Sequence, residues 1–186
     1  NPENVQEIIF KIIPDEYSQI TQLNKGEIDL IEDVSSEKVQ ELIENKNVII
    51  GSIKGRNYDY VGWNHIDPIA YSKKQNKPNK YFASAKTRKA LSYAINRNEI
   101  FQSIVGKYGE IYDSPISPIF KQYFDRNLTK VEYNPQLAKN ILAEEGWVDN
   151  NGDGILEKNN QKFSFKIYTA AGNSIRQYVG TIIKNN

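Results

Sequence analysis

The chain has 186 residues, with 24 Lys and Arg against 23 Asp and Glu, 12 Tyr and no Cys. The near-cancelling charge supplies no bulk field that would select nucleic acid or an anionic membrane. The missing thiols exclude disulfides, thiolate metal sites and a cysteine nucleophile. In chain order, Ile8, Phe10 and Ile12 form an alternating stripe that predicts a strand. Pro14-Asp15 opens a helix with Tyr17, Ile20 and Leu23 on one face, and Lys25-Gly26 closes it. Ile28, Leu30 and Ile31 predict a short strand. Ser35-Ser36-Glu37 caps a second helix, with Val39, Leu42 and Ile43 inward. Val48, Ile49, Ile50 and Ile53 predict another strand, and Tyr58, Tyr60 and Gly62 line one face of the next. This alternation of strand-like and helix-like segments argues for an α/β lobe.

Residues 65–78 are polar and irregular. Residues 84–105 predict a helix broken near Asn98, with Ala90, Leu91, Ala94, Ile95, Phe101, Ile104 and Val105 inward. Residues 106–132 carry Gly106, Gly109, Pro115 and Pro118 and predict a long loop. Asn134-Pro135 then opens a helix, with Asn134 as N-cap and Pro135 at the first helical position. Leu137, Ile141 and Leu142 share its buried stripe, and Gly146 ends it in the left-handed conformation that glycine tolerates best. After Trp147 and the turn 149–154, Phe163, Phe165 and Ile167 alternate with Lys162, Ser164 and Lys166, which predicts a half-buried strand. Residues 174–184 predict a helix with Ile175, Tyr178, Val179 and Ile182 on one side.

No set of side chains reads as a nucleophile, base and acid. There is no G-x-x-x-x-G-K-[ST] phosphate loop and no H-E-x-x-H helix. His65 is the single histidine and, even with Asp67, one imidazole makes no transition-metal site. Glu144 and Glu145 are adjacent on a helix and point about 100° apart, so they read as a solvated face. Asp149-x-Asn151-x-Asp153-Gly154 has the spacing of the first half of an EF-hand loop, with Glu157 at the ninth position. The twelfth position is Asn160, where calcium needs a bidentate glutamate. The reading is therefore a calcium-like turn with no bound metal.

Several motifs occur together in a fixed order. They are Gly26-Glu27-Ile28-Asp29, Trp63-Asn64, and a helix carrying Arg88, Ala90, Leu91, Ala94, Ile95 and Arg97. Ala138, Lys139, Leu142, Gly146 and Trp147 follow, and then Gly152-Asp153-Gly154. In this order and at these distances the chain resembles the family 5 extracytoplasmic solute-binding proteins of peptide and nickel ABC importers.

The resemblance implies an α/β fold of the periplasmic-binding-protein-like type II, with mixed sheets flanked by helices and two lobes that close over ligand by hinge motion. It implies that residues 1–57 belong to a first lobe, residues 58–64 form an inter-lobe crossing strand, and residues 65–186 open the second lobe. Tyr60, Gly62 and Asn64 are the implied ligand-binding residues, on a strand whose main chain can pair with an extended peptide. Arg88 reads as a structural ion-pair former. The implied function is the substrate-binding component of an ABC importer, capturing oligopeptides or dipeptides outside the membrane and delivering them to permease subunits. No catalysis, cofactor or nucleic acid is implied. The implied location is periplasmic or at the cell surface, with the chain an internal piece of a longer exported protein, free or lipid-anchored, whose charge anchors for peptide termini lie elsewhere. The competing readings are a receptor or adhesion module on the same fold, and an α/β hydrolase.

Overall fold

In the computed structural model, residues 5–186 are described, apart from the side chains of Ser36, Glu37, Val105 and Lys107. The expected burial of Val105 thus lies outside the described side chains. The chain divides into two compact units, Asn1–Ile53 and Lys54–Asn186.

The first unit contains α1 (Glu16–Asn24) and α2 (Ser36–Ile43). Asp15 is the N-cap of α1, and its carboxylate accepts hydrogen bonds from the Ser18 N–H and hydroxyl at 2.8 and 2.7 Å. The Ser18 hydroxyl, then its N–H, hold the Asp15 carboxyl below the usual aspartate range. Glu16 accepts from the Ser35 N–H at 2.6 Å and from its hydroxyl at 3.1 Å, tying the start of α1 to the start of α2. The Ser35 side chain therefore faces α1 and makes no cap of its own. Ile20, Val39 and Leu42 are buried, whereas Tyr17 and Ile43, read from their spacing as inward, are exposed.

The second unit holds α3 (Pro68–Ser72), α4 (Ala85–Ala94), α5 (Arg97–Ile100), a π-helical turn (Phe101–Val105), a 3-10 turn (Gly106–Tyr108), α6 (Pro135–Glu144), the two-residue strands β1 (Glu157–Lys158) and β2 (Gln161–Lys162), and α7 (Ser174–Asn185). Asn134 caps α6 by accepting from the Leu137 N–H at 2.9 Å, while its own N–H donates to the Tyr93 carbonyl at 2.8 Å. One residue thus starts α6 and ties it to the end of α4. Ala90, Leu142 and Trp147 form the buried centre, with Tyr81, Ile141, Leu156 and Phe163 packed against it. Gly146 leaves α6 at φ +85°, and the Lys158 ammonium donates to the Glu145 carbonyl at 2.5 Å, filling an acceptor that the helix end leaves open.

The helix predicted over 84–105 breaks at Ile95, which is extended, and Asn96, which caps α5 by accepting from the Glu99 N–H at 3.1 Å. The break sits ahead of Asn98 because an N-cap side chain must precede the first helical turn. Helix α3 lies in the stretch read as irregular. Asp67 caps it at 2.7 Å from the Ala70 N–H and Pro68 stands in its first turn.

The predicted strands fare differently. Among the described residues, those at 8–12, 28–31, 48–53 and 58–64 belong to no hydrogen-bonded ladder. The antiparallel pairing of β1 with β2 joins Glu157 to Lys162 and Lys158 to Gln161, the Phe163 N–H still donates to the Leu156 carbonyl at 2.7 Å, and the stretch after it leaves. Side-chain alternation survives there in part, with Phe163 and Phe165 half-buried and Lys162, Ser164 and Lys166 exposed, but Ile167, expected on the half-buried side, is exposed. A strand needs a neighbour to receive its N–H and C=O groups, and alternation alone does not supply one.

Candidate functional site

Residues 58–64 lie in no helix, turn or strand, and among the described residues no backbone hydrogen bond reaches them. Its even- and odd-numbered residues differ in their contacts, although only Trp63 among them is half-buried and Asp59 and Val61 are exposed. Tyr58, Tyr60, Gly62 and Asn64 are exposed, Tyr60 at 78%. The Tyr58 and Tyr60 ring centroids lie 5.9 Å apart. The Tyr60 ring leans along the strand over Gly62, where an added Cβ would come within 3.3 Å of its Cε2. Asn64 accepts from the Ile66 N–H at 3.2 Å, turning the chain out of the segment.

Two of the odd-numbered residues are anchored. The Trp63 ring stands 5.5 Å from Phe82 and 6.2 Å, edge-on, from Phe165. Phe82 and Phe165 meet at 5.0 Å and Phe163 meets Trp147 at 4.6 Å, so Trp63 is the outer member of a ring cluster that reaches the buried centre. Asp59 accepts from Arg176 Nε of α7 at 2.8 Å. Just upstream, Lys54 pairs with Glu110, and the buried Ser117 hydroxyl donates to the Gly55 carbonyl at 3.1 Å. The long loop therefore lies against the lead-in to this segment. Desolvation, then the nearby Tyr58 and Glu110, push the Tyr112 hydroxyl up. Trp63 was readable as the odd member of an alternating run; Arg176 and Ser117 carry no such signal, since their partners lie 117 and 62 residues away.

That loop is tied down by Arg97. Its guanidinium pairs with Asp113 at 2.7 Å and donates to the Val131 and Tyr112 carbonyls, while Asp113 accepts from the Val131 N–H at 3.3 Å. Arg88, read as an ion-pair former, instead donates to the Phe82 and Ala83 carbonyls at 2.7 and 2.8 Å. A single guanidinium nitrogen, Nη1, makes both bonds and so bridges two successive carbonyls at the turn into α4.

The calcium-like turn is occupied by its own hydrogen bonds. Asp149 accepts from the Gly152 and Gly154 N–H groups at 2.7 and 2.9 Å, and Asn151 Oδ1 from the Asp153 N–H at 2.9 Å. Glu157 accepts from the Asn150 N–H and the Asn151 amide, both at 3.2 Å. Asp153 accepts from the Ile155 N–H at 2.9 Å and from Lys162 at 2.8 Å. Lys162, then the Ile155 N–H, hold the Asp153 carboxyl below its usual range, and Asp153 raises the Lys162 ammonium in turn. Every side-chain oxygen that a calcium ion would take is already an acceptor, and a lysine supplies the positive charge. His65 is exposed, and Asp67 is engaged as the cap of α3. Among the described residues no group of three or more His, Asp or Glu side chains is placed to hold a metal ion.

Comparison with known proteins gives this geometry a family. The family described as bacterial extracellular solute-binding proteins, family 5 Middle, matches residues 1–186. The oligopeptide-binding protein AppA of Bacillus subtilis is 33% identical over 179 residues, which is 95% of this chain and 30% of that protein. The solved structure of AppA in complex with a nonapeptide matches at TM-score 0.71 and 34% identity, over 94% of this chain and 32% of that one. Lactococcal OppA, solved with an endogenous peptide in the closed conformation, matches in fold at TM-score 0.62 and 21% identity, over 91% of this chain and 32% of that one. The chain thus spans about a third of the length of the solved proteins it matches and carries part of their type II periplasmic-binding-protein-like fold. Among the described residues no helix is long and apolar enough to cross a membrane. With the profile matched along its whole length, this chain belongs to the bacterial extracellular solute-binding proteins of family 5.

Proposed function

We propose that this chain is part of the substrate-binding component of an ABC importer, which captures oligopeptides or dipeptides outside the membrane and delivers them to permease subunits. The observation that carries the reading is the segment 58–64. It belongs to no helix or ladder, no backbone bond among the described residues engages it, and it presents Tyr60, Gly62 and Asn64 as exposed residues. Free main-chain N–H and C=O groups can add an extended peptide as a further strand, with sequence-tolerant affinity. Tyr60 offers a broad apolar face with a polar tip to whatever side chain lies above it. Gly62 leaves room for Tyr60 and for a close main-chain approach. The likeness to AppA, solved with a nonapeptide, supports a peptide over other solutes. The division into a first part to residue 57 and a second from residue 65, joined by 58–64, belongs to the same proposal, as does a periplasmic or cell-surface location. Binding and delivery need no catalysis, and the side chains of this segment include no nucleophile paired with a base.

Calorimetry of the full-length gene product against a mixed peptide library tests the reading. Micromolar binding, weakened at least tenfold by Tyr60→Ala and by Gly62→Val with the melting temperature unchanged, is the expected result. Tight binding indifferent to both substitutions would move the site elsewhere. Absence of any peptide binding would end the peptide reading.

A further inference from the structure

Residues 58–64 have a definite facing without the ladder that normally imposes one. In a sheet, register and facing come from paired backbone groups and a buried face. Here three contacts, all on or next to the odd-numbered face, take that role. Upstream, the Ser117 hydroxyl holds the Gly55 carbonyl. At residue 59, Arg176 holds the carboxylate at 2.8 Å. At residue 63, the Trp63 ring is set among Phe82 and Phe165. Asp59 and Trp63 are four residues apart, so with a side-chain period of two they lie on the same side of the strand. Two pins on one side prevent rotation about the strand axis, which a single pin would allow.

The Asp59–Arg176 pair is a poor candidate for a stabilising contact. Its side chains are 69% and 51% exposed, and ion pairs in that setting contribute little to folding. Yet Arg176 is deliberately placed: Asn173 caps α7 at the Arg176 N–H, which orients the first turn that carries the guanidinium. We propose that Arg176 is a positioning residue for ligand, acting through Asp59 to keep the Tyr58–Tyr60–Gly62–Asn64 face turned outward. This rests on the peptide-binding reading for its consequence, although the pin itself is testable without ligand. A face already aligned before binding spares the ordering cost that a freely twisting segment would incur.

The test uses the full-length gene product and four variants: Arg176→Ala, Arg176→Lys, Asp59→Arg, and the charge swap Asp59→Arg with Arg176→Asp. Two readouts are taken on each, affinity for a mixed nonapeptide library and the rate of chymotryptic cleavage after Tyr58 and Tyr60, alongside the melting temperature. Arg176→Ala should weaken binding about tenfold and speed this cleavage, with the melting temperature unmoved. Asp59→Arg should do the same, Arg176→Lys should keep most of the wild-type behaviour, and the swap should restore both readouts. Unchanged cleavage in Arg176→Ala would overturn the pin even if wild type binds no peptide. Loss of affinity in step with melting temperature, or a swap that rescues neither readout, would reduce the pair to a surface contact. If the wild type fails to bind while cleavage responds as expected, the pin stands and the peptide reading fails.

Discussion

Residues 134–162 and residues 48–64 treat their backbone groups in opposite ways. In the first region, most donors and acceptors find their partners close along the chain, although the Asn134 N–H reaches back to the Tyr93 carbonyl. Asn134 caps its own helix, Trp147 donates back to Leu142 at 2.9 Å, Asp149 gathers the turn, and Glu157 pairs with Val148. In the second, Ile49 and Ile53 are 97% and 93% exposed, and the backbone from 49 to 64 is reached, among the described residues, only by the Ser117 hydroxyl. Both regions are rich in apolar residues. The difference is that helix and turn bonds close over three to five residues, whereas a strand depends on a segment that can lie anywhere in the sequence. Local sequence therefore suffices for one and not for the other.

The largest effect that would sharpen this contrast is at the aromatic centre. Trp147→Ala should destabilise the second unit by about 3–5 kcal/mol, since it removes a buried ring from a close-packed cluster; denaturant unfolding followed by far-UV circular dichroism measures it. A loss under 1 kcal/mol would mean that the cluster is not its core. By contrast, Ile49→Ala should change the stability of residues 1–186 by no more than about 0.5 kcal/mol. The same change should cost clearly more in the full-length gene product if another segment covers that stripe, and equal costs in both would break the comparison.

Peptide affinity should divide along the same line. Residues 1–186 alone should bind the mixed library a thousandfold or more weaker than the full-length gene product, about 4 kcal/mol. A ligand held on one side keeps its other polar groups in water. Micromolar binding by residues 1–186 would place the main anchors within them.

A smaller effect belongs to the loop clamp. Arg97→Ala should cost about 2 kcal/mol, because it removes charge-assisted bonds to Asp113 and two carbonyls. Limited proteolysis should then cut within 109–131 first, and unchanged cleavage would argue against the clamp.

The smallest effects concern the turn 149–154. Asp153 has a lowered carboxyl value, so its contribution is present above the ordinary value of 3.8 and is lost as pH falls through the lower folded one. Lys162 has a raised value, so its contribution is present below 10.5 and is lost as pH rises through the higher folded one. The Asp153→Ala variant should therefore differ only modestly from wild type at neutral pH, with the difference fading at both extremes. Calcium should leave the melting temperature unmoved. A site filled at 100 times its Kd would add about 2.7 kcal/mol, so a calcium-dependent rise lost in Asp153→Ala would reverse the reading of this turn.

Much of this was legible before any coordinates. Asp15, Asn134-Pro135 and Gly146 mark helix ends through chemistry confined to a few residues. Asp67-Pro68 carries the same kind of signal as Asn134-Pro135 and announces α3, although its polar surroundings concealed it. The alternation at 163–167 separated the half-buried Phe163 and Phe165 from the exposed Lys162, Ser164 and Lys166, but Ile167, expected on the half-buried side, is exposed. The family followed from motifs spread along the whole chain, and so did the selection of Tyr60, Gly62 and Asn64 as candidates.

By itself, then, the sequence determined the positions of most helices, α3 excepted, together with caps, turn chemistry and membership of a binding-protein family. All of these depend on short spacings or on the order of motifs. Only the tertiary structure decided that Arg88 and Arg97 serve carbonyls in addition to or in place of carboxylates, that Ser117 reaches Gly55, and that Arg176 and Trp63 pin the segment carrying Tyr60. Those contacts join residues far apart in sequence. Their specificity lies in the distance and angle at which two side chains meet, which no local periodicity encodes.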